Sequence, residues 1–447
     1  MSSNRFLKLV HVCGFALAWS VISAGCQQSP PPTEPVSETP SETMGDEPAS
    51  TPVEPMPNEP MPNEPMPVEP MPVEPMPNEP TPVEPKPVEP KPDEPKPDEP
   101  KPEEPKPEEP KPDEPKPDAP KPDAPKPSEP AAETAAFEVK IPLGLPPLPI
   151  PEANPMTAAK VELGKMLYFD KRLSKDGTIS CATCHDPKMA WTEQKATSTG
   201  FRNQVGGANS PTVINSAYAT TQFWDGRAKT LEEQALGPIE NPIEMGHSLP
   251  EMISTLNQLG GYKEQFQKVF GTEVTADGIA AAIAAFERTV LSGNSPYDKF
   301  KAGDENALNE AQKRGLDLFN KSGCADCHVP PLFSSYDFYN AGVGMDKDPI
   351  HQGRKAVTGD DDDLGAFRTP ALREVAHTGP YFHDGSGATL EDAVALMANG
   401  GKDNPNLSDM FESVRDAKLT EQDRKDLVEF LKALSGEFPI IEPPALP

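Results

Sequence analysis

The pentapeptide Cys181-Ala182-Thr183-Cys184-His185 recurs as Cys324-Ala325-Asp326-Cys327-His328, and this repetition constrains the chain more than any other feature. In CxxCH, two thiols one helical turn apart can add across the two vinyl groups of a haem while the adjoining imidazole ligates its iron. With six Cys and seven His in 447 residues, two copies are not chance. A zinc ribbon or a thioredoxin-like redox pair would use the thiols but leave each following His without a role. The expectation is two covalent haem c groups, each wrapped by its own stretch of chain. Cys13 and Cys26 are the other two cysteines, so no pair is left for a structural disulfide in the folded part.

Residues 1–25 read as an export signal: Arg5 and Lys8, the apolar run Val12 to Ile22, then Ser-Ala-Gly before Cys26. Small residues ahead of Cys26 resemble the lipobox of bacterial lipoproteins, in which that Cys becomes the acylated N-terminus. Ser23 departs from the usual Leu there, and Gln27 lacks the acidic type that resembles an inner-membrane retention signal. An outer-membrane lipoprotein facing the periplasm is expected, with no membrane contact beyond the lipid. Export also suits CxxCH, which resembles the c-type cytochromes matured on the outer face of the bacterial inner membrane. Residues 26–136 form a Pro-rich linker expected to be disordered. Within it Thr51 to Pro130 is sixteen pentads of the form [TMK]-P-x-[EA]-P. These units carry no apolar face to stack, and two Pro in five residues favour a solvated polyproline II rod. At ~3.1 Å per residue it would reach roughly 250 Å if stiff. Its five Met, from Met56 to Met76, belong to the repeat and are not metal ligands. The net charge of −30 excludes a nucleic-acid partner, which needs a basic face.

Folded sequence begins near Phe137 and is long enough for two domains of ordinary size. Its fold class is mainly α. Helical patterns run over Thr157 to Tyr168, Pro250 to Leu259, Ala276 to Leu291, Ala307 to Phe319, Leu390 to Ala398 and Thr420 to Leu434. In the last, Leu427, Phe430, Leu431 and Leu434 make one apolar stripe. Leu163-Gly164 to Phe169 precedes the first CxxCH much as Arg314-Gly315 to Phe319 precedes the second. This duplication divides the chain into haem domains at 137–300 and 301–447, with the polar stretch Ser292 to Asn306 as the boundary.

His185 and His328 supply one axial ligand each, so function turns on the opposite face of each iron. For the second haem Met397 is the candidate, since Leu390, Val394 and Met397 share one helix face; the same pattern also suits a core Met. For the first, the downstream segment holds Gln234, Glu240 and Glu244. A carboxylate over an open haem could move a proton between the two oxygens of peroxide. From the residues alone, Glu240 and Glu244 compete, and both compete with ordinary surface Glu.

From about Leu148 to Leu434 the chain resembles the bacterial dihaem cytochrome c peroxidase and MauG family. The motifs in register are LGKMLYFDKRLSKDGTISCATCH, GGANSPTVINSAY, QFWDGRAKTLEEQALGPIENPIEM, FRTPALREVAHTGPYFHDG and TLEDAVALM. The resemblance implies two cytochrome c-like helical domains, one haem meeting peroxide and the other receiving electrons from a donor. It makes Glu244 the catalytic carboxylate, Trp224 the indole between the haems and Gln234 a polar residue near the peroxide. Met397 becomes the sixth ligand of the electron-transfer haem, which favours a peroxidase over MauG, where a Tyr stands. Asn209, with the carbonyls of Thr378 and Pro380, matches an interdomain Ca²⁺ site, an oxygen set that suits a hard cation.

One position departs from the pattern. Many peroxidases of this family place a His sixteen residues after the first CxxCH, where it blocks the peroxidatic iron; here Phe201 stands there. His247, three residues after Glu244, is the alternative imidazole. The reading is an enzyme reducing hydrogen peroxide with electrons from a small cytochrome c or cupredoxin. Its rivals are a MauG-like oxidase of a partner protein and a tethered dihaem electron carrier. The oligomeric state stays open between monomer and homodimer.

Overall fold

The structure, a computed structural model, describes residues 136–447. The export signal, Cys26 and the Pro-rich pentads lie outside the described residues. In the first half, helices α1 (Ala158–Phe169), α2 (Cys181–Cys184), α3 (Leu231–Glu240), α4 (Leu249–Asn257), α5 (Gly260–Phe270), α6 (Ala276–Glu287) and α7 (Pro296–Lys301) follow one another. The second half holds α8 (Glu310–Lys321), α9 (Cys324–Cys327), α10 (Lys355–Thr358), α11 (Leu390–Ala398), α12 (Phe411–Asp416) and α13 (Glu421–Lys432). Strands β1 (Phe338–Tyr339) and β2 (Phe367–Arg368) pair antiparallel, with Phe338 opposite Arg368. The fold is mainly α, as expected.

Helix starts follow the local chemistry of the sequence. Thr157 accepts from the Lys160 N–H ahead of α1, and Thr275 from the Gly278 N–H ahead of α6. Asn309/Gln312, Thr389/Asp392 and Thr420/Asp423 make reciprocal capping boxes for α8, α11 and α13. Each cap satisfies backbone donors that the first helical turn leaves unpaired.

The duplication read from the sequence is a duplicated helix crossing. α1 packs on α6 and leads to α2; α8 packs on α13 and leads to α9. A glycine makes each crossing close: a Cβ at Gly164 would lie 1.8 Å from the Ala282 carbonyl oxygen, and one at Gly315 2.0 Å from that of Asp426. Aromatic rings fill the space beside each crossing. Tyr168, Trp191 and Phe286 pack together in the first core, and Tyr297, Phe319, Phe333 and Phe430 in the second.

Buried polar ties join the halves. Arg373 and Asp298, both fully buried, form a two-pronged pair at 2.8 and 2.9 Å, and Arg373 also donates to the Gly144 carbonyl. Glu374 accepts from Ser292 Oγ at 2.5 Å and from the Gly436 N–H at 2.6 Å. The tail after α13 packs back on the first half. Trp191 donates its indole N–H to the Pro439 carbonyl, Lys188 pairs with Glu442, and Phe438 and Ile441 pack on the first core. The C-terminal segment therefore closes the first half.

Of the helices of nine residues or more, two were not legible in the sequence. α3 contains Pro238, which has no N–H to give the Gln234 carbonyl four residues back and so obscures the pattern. α5 opens on Gly260-Gly261, poor helix formers, and is held by the burial of Tyr262 and Phe266. The Tyr262 hydroxyl adds a 2.6 Å bond to Asp170.

Candidate functional site

α2 and α9 are each the single turn that puts two thiols and the following imidazole on one side. Both pentapeptides line one continuous cavity of about 750 Å³, within the range of cofactor sites. His328 Nδ1 donates to the Phe333 carbonyl oxygen at 2.9 Å, leaving Nε2 with its lone pair for a metal. His185 Nδ1 is buried without a hydrogen-bond partner. Burial holds both imidazoles below the usual histidine range, so both are in the neutral, ligating form at neutral pH.

Burial also pushes the Cys184 and Cys327 thiols up to about 11, with Glu193 and Asp326 respectively adding to the effect. A redox CxxC or a zinc thiolate site requires the opposite shift. Haem fits better on a second count. Arg368 is buried on the cavity wall, with Nε donating to the Phe223 carbonyl at 3.1 Å and no carboxylate paired with it among the described residues. An unpaired buried cation is costly, and a haem propionate is the anion that would neutralise it.

Three carboxyl groups line the cavity: Asp225, Glu244 and Glu287. Asp225 is engaged by Arg227, 3.0 Å away. Burial on α6 pushes Glu287 up to about 8, so it holds its proton at neutral pH and cannot accept another. Glu244 is raised by burial more moderately, because the Arg227 charge and a 2.7 Å hydrogen bond from Asn241 Nδ2 favour its ionised form. Glu240, the last residue of α3, is exposed and does not reach the cavity. Gln234, on the same helix, does.

Glu244 is fixed through its backbone. The Met245 N–H donates to the Pro238 carbonyl, that of His247 to Ile239, and that of Phe201 to the Glu244 carbonyl itself at 2.7 Å. Phe201 is buried against Gly246 and does not line the cavity. His247 is buried with Nδ1 unpartnered, and it too lies off the cavity wall.

Trp224 sits where the two halves meet. Its carbonyl accepts from the Arg368 N–H at 2.8 Å, and Arg354 donates to the carbonyls of Asp225 and Gly226 at 3.0 Å each. Gly226 lies at φ +70, and a Cβ there would run into the Phe338 ring. The Trp224 indole N–H donates to the Asn209 carbonyl at 2.8 Å. Asn209 spends its own N–H on the His383 carbonyl and its Nδ2 on that of Lys195, which leaves Oδ1 for a cation. Thr378 and Pro380 line the same cavity, as does Met397 on the α11 face that buries Leu390 and Val394.

The family model for di-haem cytochrome c peroxidase matches residues 158–306, and that for cytochrome c matches residues 312–435. Cytochrome c551 peroxidase of Nitrosomonas europaea is 43% identical over 309 residues, covering 67% of this chain and 86% of that protein. The chain belongs to the di-haem cytochrome c peroxidase family. The methylamine utilization protein MauG of Methylorubrum extorquens is 40% identical over 303 residues, 67% of this chain and 85% of MauG. Among solved structures, a MauG-like protein associated with microbial copper homeostasis superposes with a TM-score of 0.61 at 34% identity, covering 68% of this chain and 96% of that one. Two cytochrome c-type domains, each carrying haem c, follow from this membership.

Sequence reasoning missed three residues that the family member places on the cavity wall: Glu287, His351 and Arg368. Glu287 left a signal, a carboxylate inside the Ala-rich apolar run of α6. Arg368 lies in the motif FRTPALREVAHTGPYFHDG, but nothing local marks its burial, and His351 left no signal, because the burial of each comes from distant packing.

Proposed function

We propose that this chain is a dihaem cytochrome c peroxidase, reducing hydrogen peroxide to two waters with two protons and two electrons from a small cytochrome c or cupredoxin. The observation that carries the reading is the convergence of His185, His328 and Glu244 on one cavity. When bound, the haems supply one iron for peroxide reduction and a second that relays the donor's electrons. Glu244 takes the proton from one peroxide oxygen and returns it to the departing oxygen, so that water leaves instead of hydroxide. Gln234 hydrogen-bonds the peroxide, and Trp224 provides the indole between the two haem sites.

Cys181, Cys184, Cys324 and Cys327 would anchor the porphyrins, and His185 and His328 would each ligate an iron. Met397 would supply a thioether ligand to the haem of the second CxxCH, which would raise its potential. That assignment favours the peroxidase over a MauG-like oxidation of a partner protein. Asn209 Oδ1 and the carbonyls of Thr378 and Pro380 would hold Ca²⁺. Acylation of Cys26 would tether the enzyme to the outer membrane through the Pro-rich segment, facing the periplasm.

Phe201 has no donor atom, so position 201 places no ligand at the peroxide site of the resting enzyme. The test is peroxide turnover with a reduced small cytochrome, started from as-isolated diferric enzyme and from pre-reduced enzyme. Equal initial rates are expected. Turnover only after pre-reduction, with a wholly low-spin resting spectrum, would overturn the open-site reading and point to His247; no turnover in either state would overturn the peroxidase itself.

A further inference from the structure

On the wall of the same cavity, His351 Nδ1 and His383 Nε2 face each other at 2.8 Å. Asp384 adds a carboxylate oxygen, and the three candidate ligand atoms lie within 4.8 Å of one another. We propose that His351, His383 and Asp384 form a further metal site, separate from the haem irons and from the Asn209 oxygen set, for a borderline divalent cation of the Zn²⁺ class.

The three side chains are held in place. The His383 ring is stacked on Phe367, with centroids 3.5 Å apart and planes 14° from parallel. His351 is anchored by its N–H to the Gly344 carbonyl, and Gly344 lacks a Cβ because one would lie 2.6 Å from His351 Nδ1. Asp384 is oriented by Ser386, whose N–H donates to Oδ1 at 3.0 Å. His383 is only 5% exposed.

Ligand chemistry selects the ion. Two imidazoles and one carboxylate suit Zn²⁺ and its neighbours, whereas Ca²⁺ requires oxygen donors. Three protein ligands with the fourth position left to water is a common zinc arrangement. Tetrahedral Zn–N bonds of about 2.0–2.1 Å set the two nitrogens roughly 3.3 Å apart. The rings therefore part by only about 0.5 Å, by a small rotation of either one. A cation here would also tie the 351 loop to the 383 loop. The His383 carbonyl accepts from Asn209, whose own carbonyl receives the Trp224 indole, so the site is two hydrogen bonds from the junction of the halves.

The experiment uses holoenzyme with both haems attached and Ca²⁺ in excess, titrated with Zn²⁺ by calorimetry, with zinc located by anomalous diffraction. One Zn²⁺ per chain is expected, with its peak between His351, His383 and Asp384. His351→Gln and Asp384→Asn should each weaken that binding by on the order of 100-fold, while His377→Gln, at an exposed position, should leave it unchanged. Zn²⁺ should raise Tm in the wild type and not in Asp384→Asn. Uptake unaffected by His351→Gln, no uptake at all, or a map in which both rings bond a haem propionate and no zinc peak lies between them would each overturn the proposal.

Discussion

On the proposed mechanism, Asn241 sets how acidic a medium Glu244 can work in. Its Nδ2 donates to Glu244 Oε1 at 2.7 Å and so favours the carboxylate, against the burial that favours the acid. Asn241→Ala removes the stabilised ionised form, and the Glu244 pKa rises further. A proton acceptor must be ionised to begin a cycle, so the acid limb of the kcat/KM profile should move to higher pH; a profile that stays put or moves to lower pH would separate Asn241 from the chemistry. Arg227→Gln should shift the limb the same way, since its charge acts in the same sense. Residue types and spacing left Glu240 and Glu244 as equals, and the resemblance to the family singled out Glu244. What separates them physically is burial: the turn after α3 carries Glu244 to the cavity and leaves Glu240 in solvent, a tertiary outcome that local pattern does not encode.

At the scale of elements, the repeated crossing of α1 with α6 and of α8 with α13 sets the geometry that presents each CxxCH turn. Gly164 and Gly315 permit it because their missing Cβ atoms leave room for a facing carbonyl. Gly164→Ala should push α1 off α6, costing about 1–3 kcal/mol or more of stability by overpacking, in spite of the better helix propensity of Ala. Urea unfolding of the holoenzyme would measure this; a stability gain would mean that the crossing is not constrained. The Leu163-Gly164 and Arg314-Gly315 correspondence was legible in the sequence, and so were the ranges of α1, α6, α8, α11 and α13 to within a few residues. These helices carry caps and apolar stripes. α3 and α5 were not legible, because Pro238 in one and paired glycines in the other are overridden by packing.

In the whole molecule, two halves with separate aromatic cores share one cavity, and the chain crosses between them more than once. The tail beyond α13 returns to Trp191 and Lys188, a long-range contact with no sequence signature. The Pro-rich pentads contribute no apolar face and no ligand, so deleting Thr51 to Pro130 should leave haem content and peroxide turnover unchanged, read by haem absorbance and initial rate. Loss of either would assign the repeat a role in the enzyme. On the proposed mechanism one carboxylate, Glu244, moves the proton that peroxide reduction requires. The most direct measure of that step is kcat for peroxide, with reduced small cytochrome as donor, in Glu244→Gln and Glu240→Gln proteins that retain both haems. A fall of about 10² to 10⁴ is expected for Glu244→Gln, the usual worth of a positioned acid–base group, and little change for Glu240→Gln. Equal rates in the two variants would contradict the mechanism.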